Sequence, residues 1–322
     1  MIDANALNRF FLPTSLFFVL ATPAALAQES GDIPRLVDGL PDLQGTWDFR
    51  TITPLQRPQE FADQEVLTAE QAAEFETARQ EQLDRDNFTD TTTTGDYNQF
   101  WYDRGSEILG SNRTSLITYP PDGRIPELTE RAQERNAARR EAATLNYGIE
   151  VRPLSERCIM GFNSGPPMLP SAYNNNVQLI QTGDHFLIHN EMVHNARIVK
   201  MNATEYRQAP RDWEGDSIGY WDGDTLVVET RFFARATSFG NSSENMELTE
   251  KFWLIDADTL GYEFTISDPT TWTDSWTAMF PMRRATEPIY EYACHEGNYS
   301  MAAIMAGWRT QEVLAEFNAE ED

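Results

Sequence analysis

Histidine and glutamate residues are grouped in two short segments of this chain. Three of the four histidines lie within ten residues, from His185 to His194, and Glu191 lies among them. The fourth, His295, is followed directly by Glu296. A histidine titrates near neutral pH, and a carboxylate beside it can orient the ring and stabilise its protonated form. The pattern therefore predicts acid–base chemistry. Its candidate catalytic residues are His194, His295, Glu191 and Glu296.

Arginine and asparagine residues in or near these segments could bind a substrate. Arg157 and Arg197 could hold a carboxylate or a developing oxyanion, because a guanidinium donates several charged hydrogen bonds. Asn175 lies in a run of three asparagines and could supply amide donors and acceptors. Structural roles stay open for the same residues. Arg157 could serve as an ion-pair partner, and the asparagine run could form a turn.

Imidazoles near a carboxylate also match the ligands of a mononuclear metal site. The segment from His189 to His194 lacks the zinc-protease spacing, and neither cysteine has metal-site spacing. Motifs for dinucleotides, for phosphate loops and for a serine nucleophile are also absent. We assign no metal ligand and no cofactor, and a metal-dependent version of the reaction is an alternative.

Residues 1–27 have the pattern of a secretory signal peptide. Arg9 precedes an apolar run, and the segment ends in Ala25-Leu26-Ala27, a small-x-small cleavage site. We expect an exported chain that acts in the periplasm or outside the cell; a retained N-terminal anchor is the alternative. No second apolar stretch has the length of a membrane span, so we expect no membrane insertion after cleavage.

The formal net charge of −26 restricts the partners of the chain. Such a charge repels nucleic-acid backbones and anionic membranes. We therefore expect a small-molecule ligand or substrate and no nucleic acid. The sequence does not indicate an oligomeric state.

The chain has two cysteines, Cys158 and Cys294. In an oxidising compartment an isolated pair most simply forms one disulfide, and two buried thiols are the alternative. The disulfide would bring Arg157 and His295 into one neighbourhood. Together with the histidine segment around His194, three remote parts of the chain would then meet at one end of the fold.

Short β runs separated by turns dominate the chain from about residue 174. Asp222-Gly223 lies between two of these runs and is a strong hairpin signal. The pattern predicts a mainly β fold, an antiparallel β-barrel or sandwich with helical and loop insertions. Thr68 begins a capping-box pattern, and helices are predicted over 69–84, 129–143 and 302–318. The predicted strands are 43–49, 177–181, 185–192, 196–201, 218–221, 225–233, 251–255 and 260–267.

One β-rich domain over residues 28–322 accounts for this pattern after removal of residues 1–27. Barrels and sandwiches of this length are common as single domains, so we predict no second domain. Within the domain we expect a lead-in over 28–42, helix and loop insertions over 60–170, a β-meander over 174–300 and a closing helix over 302–318.

Gly45-Thr46-Trp47 on the first predicted strand resembles the GxW signature of lipocalin and calycin barrels, which implies a barrel of that kind. Further motifs are Glu156-Arg157-Cys158, Tyr173-Asn174-Asn175-Asn176, Glu191-Met192-Val193-His194, WDGDTLVVET over 221–230 and CHEGNY over 294–299. Through these motifs the chain resembles, over about residues 43–310, a family of uncharacterised exported bacterial proteins. That resemblance implies no particular activity.

Two functions fit these observations. The first is an exported enzyme that does acid–base chemistry, such as hydrolysis, elimination or isomerisation, on a small and partly apolar molecule. The second is a lipocalin-like protein that binds an apolar or aromatic ligand without catalysis, in a cavity lined by some of the eight tryptophans. We favour the enzyme, because a carrier does not require so many titratable groups in one place.

Overall fold

One β-sheet closes into a barrel. The computed structural model describes residues 33–87, 98–145, 148–235 and 239–321, so the expected signal peptide lies outside the described residues. Within these ranges the sheet has ten strands, which confirms the predicted mainly β barrel and is compatible with a lipocalin/calycin-like fold. The strands are β1 (Gly45–Asp48), β2 (Ile117–Tyr119), β3 (Asn176–Gln181), β4 (His185–Asn190), β5 (Ala196–Met201), β6 (Asp216–Asp222), β7 (Thr225–Arg231), β8 (Glu247–Asp256), β9 (Thr259–Ser267) and β10 (Trp276–Arg284).

Pairing between β1 and β10 closes the barrel. The order around it is β1-β3-β4-β5-β6-β7-β8-β9-β10, and Trp47 of β1 lies opposite Arg284 of β10. β2 pairs with the same edge of β10 further along, where Tyr119 lies opposite Thr277. Neighbouring strands are antiparallel except β5 and β6, which are parallel. The barrel is therefore mixed, whereas the sequence predicts antiparallel pairs throughout.

The parallel pair and the hairpins follow from the lengths of the connections. Parallel neighbours need a crossover connection, and the segment between Met201 and Asp216 supplies it. β6 and β7 are joined by the predicted tight turn, in which Gly223 has a φ of 59°. That left-handed conformation suits a glycine in a two-residue hairpin turn. The hairpin of β8 and β9 is confirmed in the same way, with Asp256 opposite Thr259.

Two stretches differ from the predicted strands. β10 is a nine-residue strand that the sequence does not predict, because Pro281 in its middle normally argues against a strand. Pro281 lies in the gap between the two short partners of that edge, β1 and β2, which pair near Arg284 and Thr277. The predicted strand over 185–192 ends at Asn190, and Met192 begins a short 3₁₀ turn.

Alternate residues of the strands point inwards and fill the barrel with large side chains. On β8, Leu248, Phe252 and Leu254 are buried, whereas Lys251 and Trp253 are partly exposed. The ring of Tyr262 lies 5.0 Å from that of Phe252 and 5.2 Å from that of Phe280, measured between centroids. Burial of each such side chain stabilises the fold by about 1.5–3 kcal/mol.

Three α-helices of the described ranges lie outside the sheet. α1 (Ala69–Leu83) begins at the predicted capping box, in which the Thr68 side chain accepts from the Gln71 backbone and the Gln71 side chain accepts in return. α2 (Glu130–Leu145) and α3 (Tyr299–Glu321) lie near their predicted positions. Among the described residues, no helix is both long and apolar enough to cross a membrane.

Candidate functional site

A strained turn between β4 and β5 carries Glu191 and His194. Val193 and His194 have φ angles of 58° and 52°, in the left-handed region. A β-branched residue such as Val193 rarely adopts this conformation, so surrounding contacts must hold the backbone there. Asn190 and Asn195 close the turn, with a hydrogen bond of 2.8 Å from the Asn190 N–H to the Asn195 carbonyl. Strain of this kind is typical of functional sites.

The carboxylate of Glu191 is buried and bound by two asparagine amides. Asn174 donates to Oε1, and Asn176 donates to Oε2 at 2.8 Å. The backbone N–H of Glu191 also donates to the carbonyl of Asn176 at 3.0 Å. Burying a carboxylate without hydrogen-bond donors would destabilise the fold. These contacts therefore hold both the carboxylate and the two amides in place.

His194 is oriented by the segment that precedes Cys294. The backbone N–H of Tyr292 donates to Nδ1 of His194 at 3.3 Å. Because Nδ1 accepts this bond, the neutral ring carries its proton on Nε2 and can donate only from there. The predicted disulfide between Cys158 and Cys294 is present, and the segment around Tyr292 does return to the histidine turn as expected.

His189 lies beside His194 on the outer face of the barrel. Phe186 and Ile188 of β4 are buried, so the residues between and after them face outwards. The ring centroids of His189 and His194 are 5.8 Å apart. Partial burial lowers the pKa of His189, and the nearby His194 lowers it further. Both effects favour the neutral form of His189. A neutral imidazole is a suitable general base.

An aromatic cleft of about 350 Å³ adjoins this turn. It is lined by Trp101, Tyr173, Asn174 and Tyr292. Two of these residues connect it to the turn, because Asn174 binds the Glu191 carboxylate and the Tyr292 N–H binds His194. The cleft can therefore hold a small apolar or aromatic molecule next to groups that can donate and accept protons.

The other two predicted catalytic residues lie beyond this cleft. His295 is exposed in the turn that follows the disulfide, and it does not line the aromatic cleft. Glu296 lines a different, polar cleft of about 840 Å³ beside the disulfide, together with Glu156 and Ser300. Their catalytic roles stay predictions.

The predicted substrate-binding residues Arg157 and Asn175 lie near the disulfide and near the cleft. Arg157 is half-buried next to Cys158, and its Nε has no hydrogen-bond partner within the described ranges. Asn175 is buried, and its amide donates to the carbonyls of Asp103 at 3.0 Å and Ser171 at 3.1 Å. These bonds join the two loops that form the cleft, so Asn175 acts in the structure as a positioning residue.

Arg197 points into the barrel, away from the outward-facing His189. Both Glu250 oxygens accept from its guanidinium, at 2.5 and 2.9 Å, and the side chains of Arg197 and Glu250 are 5% and 0% exposed. Tyr262 donates its hydroxyl to Glu250 at 2.7 Å. This satisfied ion pair lies among core residues and separates Arg197 from the histidine turn.

Sequence reasoning identified the histidine group but neither the cleft nor the position of His189 beside His194. The signal for His189 was its place in the histidine group. The cleft depends on contacts between loops far apart in the chain, which no local pattern shows. Among the described residues, no group of three or more His, Cys, Asp or Glu side chains is arranged to hold a metal ion.

The chain is thus a closed mixed barrel with an aromatic cleft on its outer surface, beside a histidine turn. Comparison with protein-family models and with curated proteins found no match to this chain.

Proposed function

We propose that the chain is an enzyme that does acid–base chemistry on a small, partly apolar molecule bound in the aromatic cleft. We also propose that it acts outside the cytoplasm. The signal-peptide pattern of residues 1–27 and the disulfide between Cys158 and Cys294 support export. Hydrolysis, elimination and isomerisation all fit, because each needs a proton moved at or next to a polar group of the substrate.

The roles follow from the hydrogen bonds. His194 donates from Nε2 to a substrate oxygen that gains negative charge, because its Nδ1 is engaged by Tyr292. His189 accepts a proton from the substrate or from a water molecule, because burial and His194 favour its neutral form. Glu191 positions Asn174, whose side chain lines the cleft.

One observation carries this proposal. The same two residues, Asn174 and Tyr292, both line the apolar cleft and bind the groups of the strained turn. A ligand in the cleft would therefore lie against two residues that are already held in place by hydrogen bonds to the turn. Preorganised donors of this kind are the usual source of electrostatic stabilisation in enzymes.

The test is turnover of a panel of small aromatic esters, lactones and hydroxy ketones by wild-type protein and two variants. We expect His189→Gln and His194→Gln each to lower kcat/KM by about 100-fold or more, as for loss of a general acid or base. The matched control is His185→Gln on the same strand, where the ring is exposed and paired with Asp184. Undiminished turnover in both the His189→Gln and the His194→Gln variant would end the proposal.

A binding protein without catalysis is the second candidate, favoured by the apolar lining of the cleft. Trp101 is 60% exposed and lines the cleft, so its fluorescence should report an aromatic ligand. The packed side chains inside the barrel support binding on the outer surface rather than in a central cavity. Quenching of Trp101 by aromatic compounds, removed by Trp101→Phe and accompanied by no turnover across the panel, would favour this candidate.

A further inference from the structure

Three arginines converge on a pocket between α1 and the loops around residues 51–55 and 170–172. The pocket has a volume of about 450 Å³ and is lined by Arg79, Arg85 and Arg104. Arg79 comes from α1, Arg85 from the short turn after it, and Arg104 from a loop. The chain has a net charge of −26, so this local concentration of positive charge is opposite in sign to the overall charge.

In the part of the chain that the structure describes, the contacts of Arg79 and Arg104 include no acidic side chain. Arg79 donates to the side-chain oxygen of Gln82 at 2.6 Å. Arg104 donates to the carbonyl of Leu83 at 3.4 Å, and its guanidinium lies 4.2 Å from the ring centroid of Tyr102. Among the described residues, no carboxylate forms a salt bridge with Arg79 or Arg104. Within the described ranges, the contacts of these two guanidinium groups are with neutral groups.

Electrostatics within the pocket show that the arginines act on one another. Burial lowers the pKa of Arg104, Tyr102 opposes this, and the charges of Arg85 and Arg79 add smaller lowering effects. Like charges held together in a partly buried site raise the energy of the empty pocket. An anion that enters would relieve this repulsion and gain charge-assisted hydrogen bonds.

We propose that this pocket binds the oxyanion group, a carboxylate or a phosphate, of a small and partly apolar molecule. Arg79 and Arg104 bind the oxyanion from two sides, since guanidinium groups match the geometry of both anions. Ile52, Leu55 and Pro170 supply an apolar wall for the remainder of the ligand. The pocket volume exceeds that of a bare ion, which fits a ligand with both parts.

The proposal does not depend on the acid–base reaction, although the two sites are neighbours. Ser171 and Ala172 line the arginine pocket, and the next two residues, Tyr173 and Asn174, line the aromatic cleft. Each site is therefore tested by its own variants.

The experiment is calorimetric titration of the full chain with inorganic phosphate and with benzoate, against chloride at equal ionic strength. We expect saturable binding of at least one of the two anions. Arg79→Gln and Arg104→Gln should each weaken it by about tenfold or more, the loss of one charged hydrogen-bond donor. Binding of phosphate alone identifies a tetrahedral oxyanion as the ligand group, and binding of benzoate alone identifies a carboxylate.

The matched control is Arg131→Gln, which removes the same charge from an exposed position on α2. Its affinity for the anion should equal that of the wild type. Absence of saturable binding in the wild type, or equal weakening by Arg131→Gln and Arg79→Gln, would overturn the proposal. The two single variants are compared separately, and thermal unfolding of each checks that it is folded.

Discussion

Two buried carboxylates show how differently this chain treats charge inside the barrel and on its outer surface. Glu250, in the interior, is bound by Arg197 through both of its oxygens. Glu191, in the outer turn, is bound by the neutral amides of Asn174 and Asn176. The interior pair neutralises its own charge. The outer carboxylate has satisfied hydrogen bonds, and no salt bridge involves it among the described residues.

The difference teaches that burial of an ionisable group does not by itself mark a functional site. Arg197 and Glu250 use their hydrogen bonds on each other and on core residues such as Tyr262. Glu191 and His194 use theirs on residues that also line the cleft, Asn174 and Tyr292. The outer group can therefore transmit its orientation to a bound molecule, whereas the inner group fixes the barrel.

The largest loss of stability is expected from removal of the disulfide that holds the outer site together. Cys158 and Cys294 are separated by 136 residues, and closure of such a loop stabilises the fold by about 4–5 kcal/mol. Cys158→Ser with Cys294→Ser should lower the free energy of unfolding by that amount, measured by urea denaturation. In hydrogen exchange the Tyr292 amide, which binds His194, should lose its protection before the strands do.

Wild-type protein treated with a dithiol reductant is the control for the disulfide prediction. It should reproduce the double-serine variant in both measurements. Unchanged protection of the Tyr292 amide would show that the disulfide does not position the outer site.

Glu250→Ala tests the interior side of the comparison. It leaves the buried Arg197 without its partner, and such a loss costs about 3–5 kcal/mol of unfolding free energy. Replacing Arg197 and Glu250 together by Met should cost much less, because no uncompensated charge remains. Glu263→Gln, which removes a partly exposed partner of Lys251, is the control and should cost no more than about 1 kcal/mol. Equal losses in Glu250→Ala and Glu263→Gln would contradict the distinction.

Glu191→Gln tests the outer carboxylate with almost no change of shape. The new amide turns a donor towards Asn174 or Asn176, so one hydrogen bond is lost and two donors face each other. We expect a loss of about 1–3 kcal/mol in urea denaturation and a fall in turnover through misplacement of Asn174. Glu134→Gln, the same substitution at an exposed position on α2, should leave both the free energy of unfolding and turnover unchanged. A fully active Glu191→Gln variant would show that the carboxylate does not position the cleft.

The sequence predicts the barrel well because its signals are local. The turn at Gly223 and the capping box at Thr68 each depend on residues next to one another, and both are confirmed. The sequence does not predict β10, because a proline such as Pro281 normally disrupts a strand. It is tolerated where no neighbouring strand needs its missing N–H. That condition depends on where β1 and β2 pair, which is a property of the closed barrel.

The candidate site was predicted only in part for the same reason. The histidine group and the disulfide could be read from residue types, and both are present around the turn at Glu191. The inward direction of Arg197 follows from the buried Val199 two residues later, a signal that the charge of the side chain obscured. Its partner Glu250 lies in a similar inward row between Leu248 and Phe252, so the pair could have been inferred from alternation.

Glu214, a half-buried residue that interacts electrostatically with Arg197 and Glu250, gives a smaller, pH-dependent test. Burial raises its pKa, the charge of Arg197 opposes this, and Asp212 and Glu250 add to the rise. Because the pKa is raised in the folded state, the contribution of Glu214 to stability is present below the pKa of the unfolded chain, about 4.3. It is lost as the pH rises through the pKa of the folded state. Glu214→Gln should therefore be more stable than wild type at pH 7, and this advantage should disappear near pH 4, in thermal unfolding. An advantage of the same size at both pH values would contradict this assignment.

The smallest effect on stability is expected at His189, and its pH dependence is opposite in sign to that of Glu214. Burial and the neighbouring His194 lower the pKa of His189, so its contribution to stability is present above the unfolded pKa of about 6.5. It is lost as the pH falls through the folded value, because the unfolded chain then binds the proton more readily. His189→Gln should remove this part of the acid-side loss of stability, and His185→Gln should leave it in place. Activity should decline over the same window, because the base must be neutral; an acid limb of the rate profile above pH 6.5 would assign the base to another group.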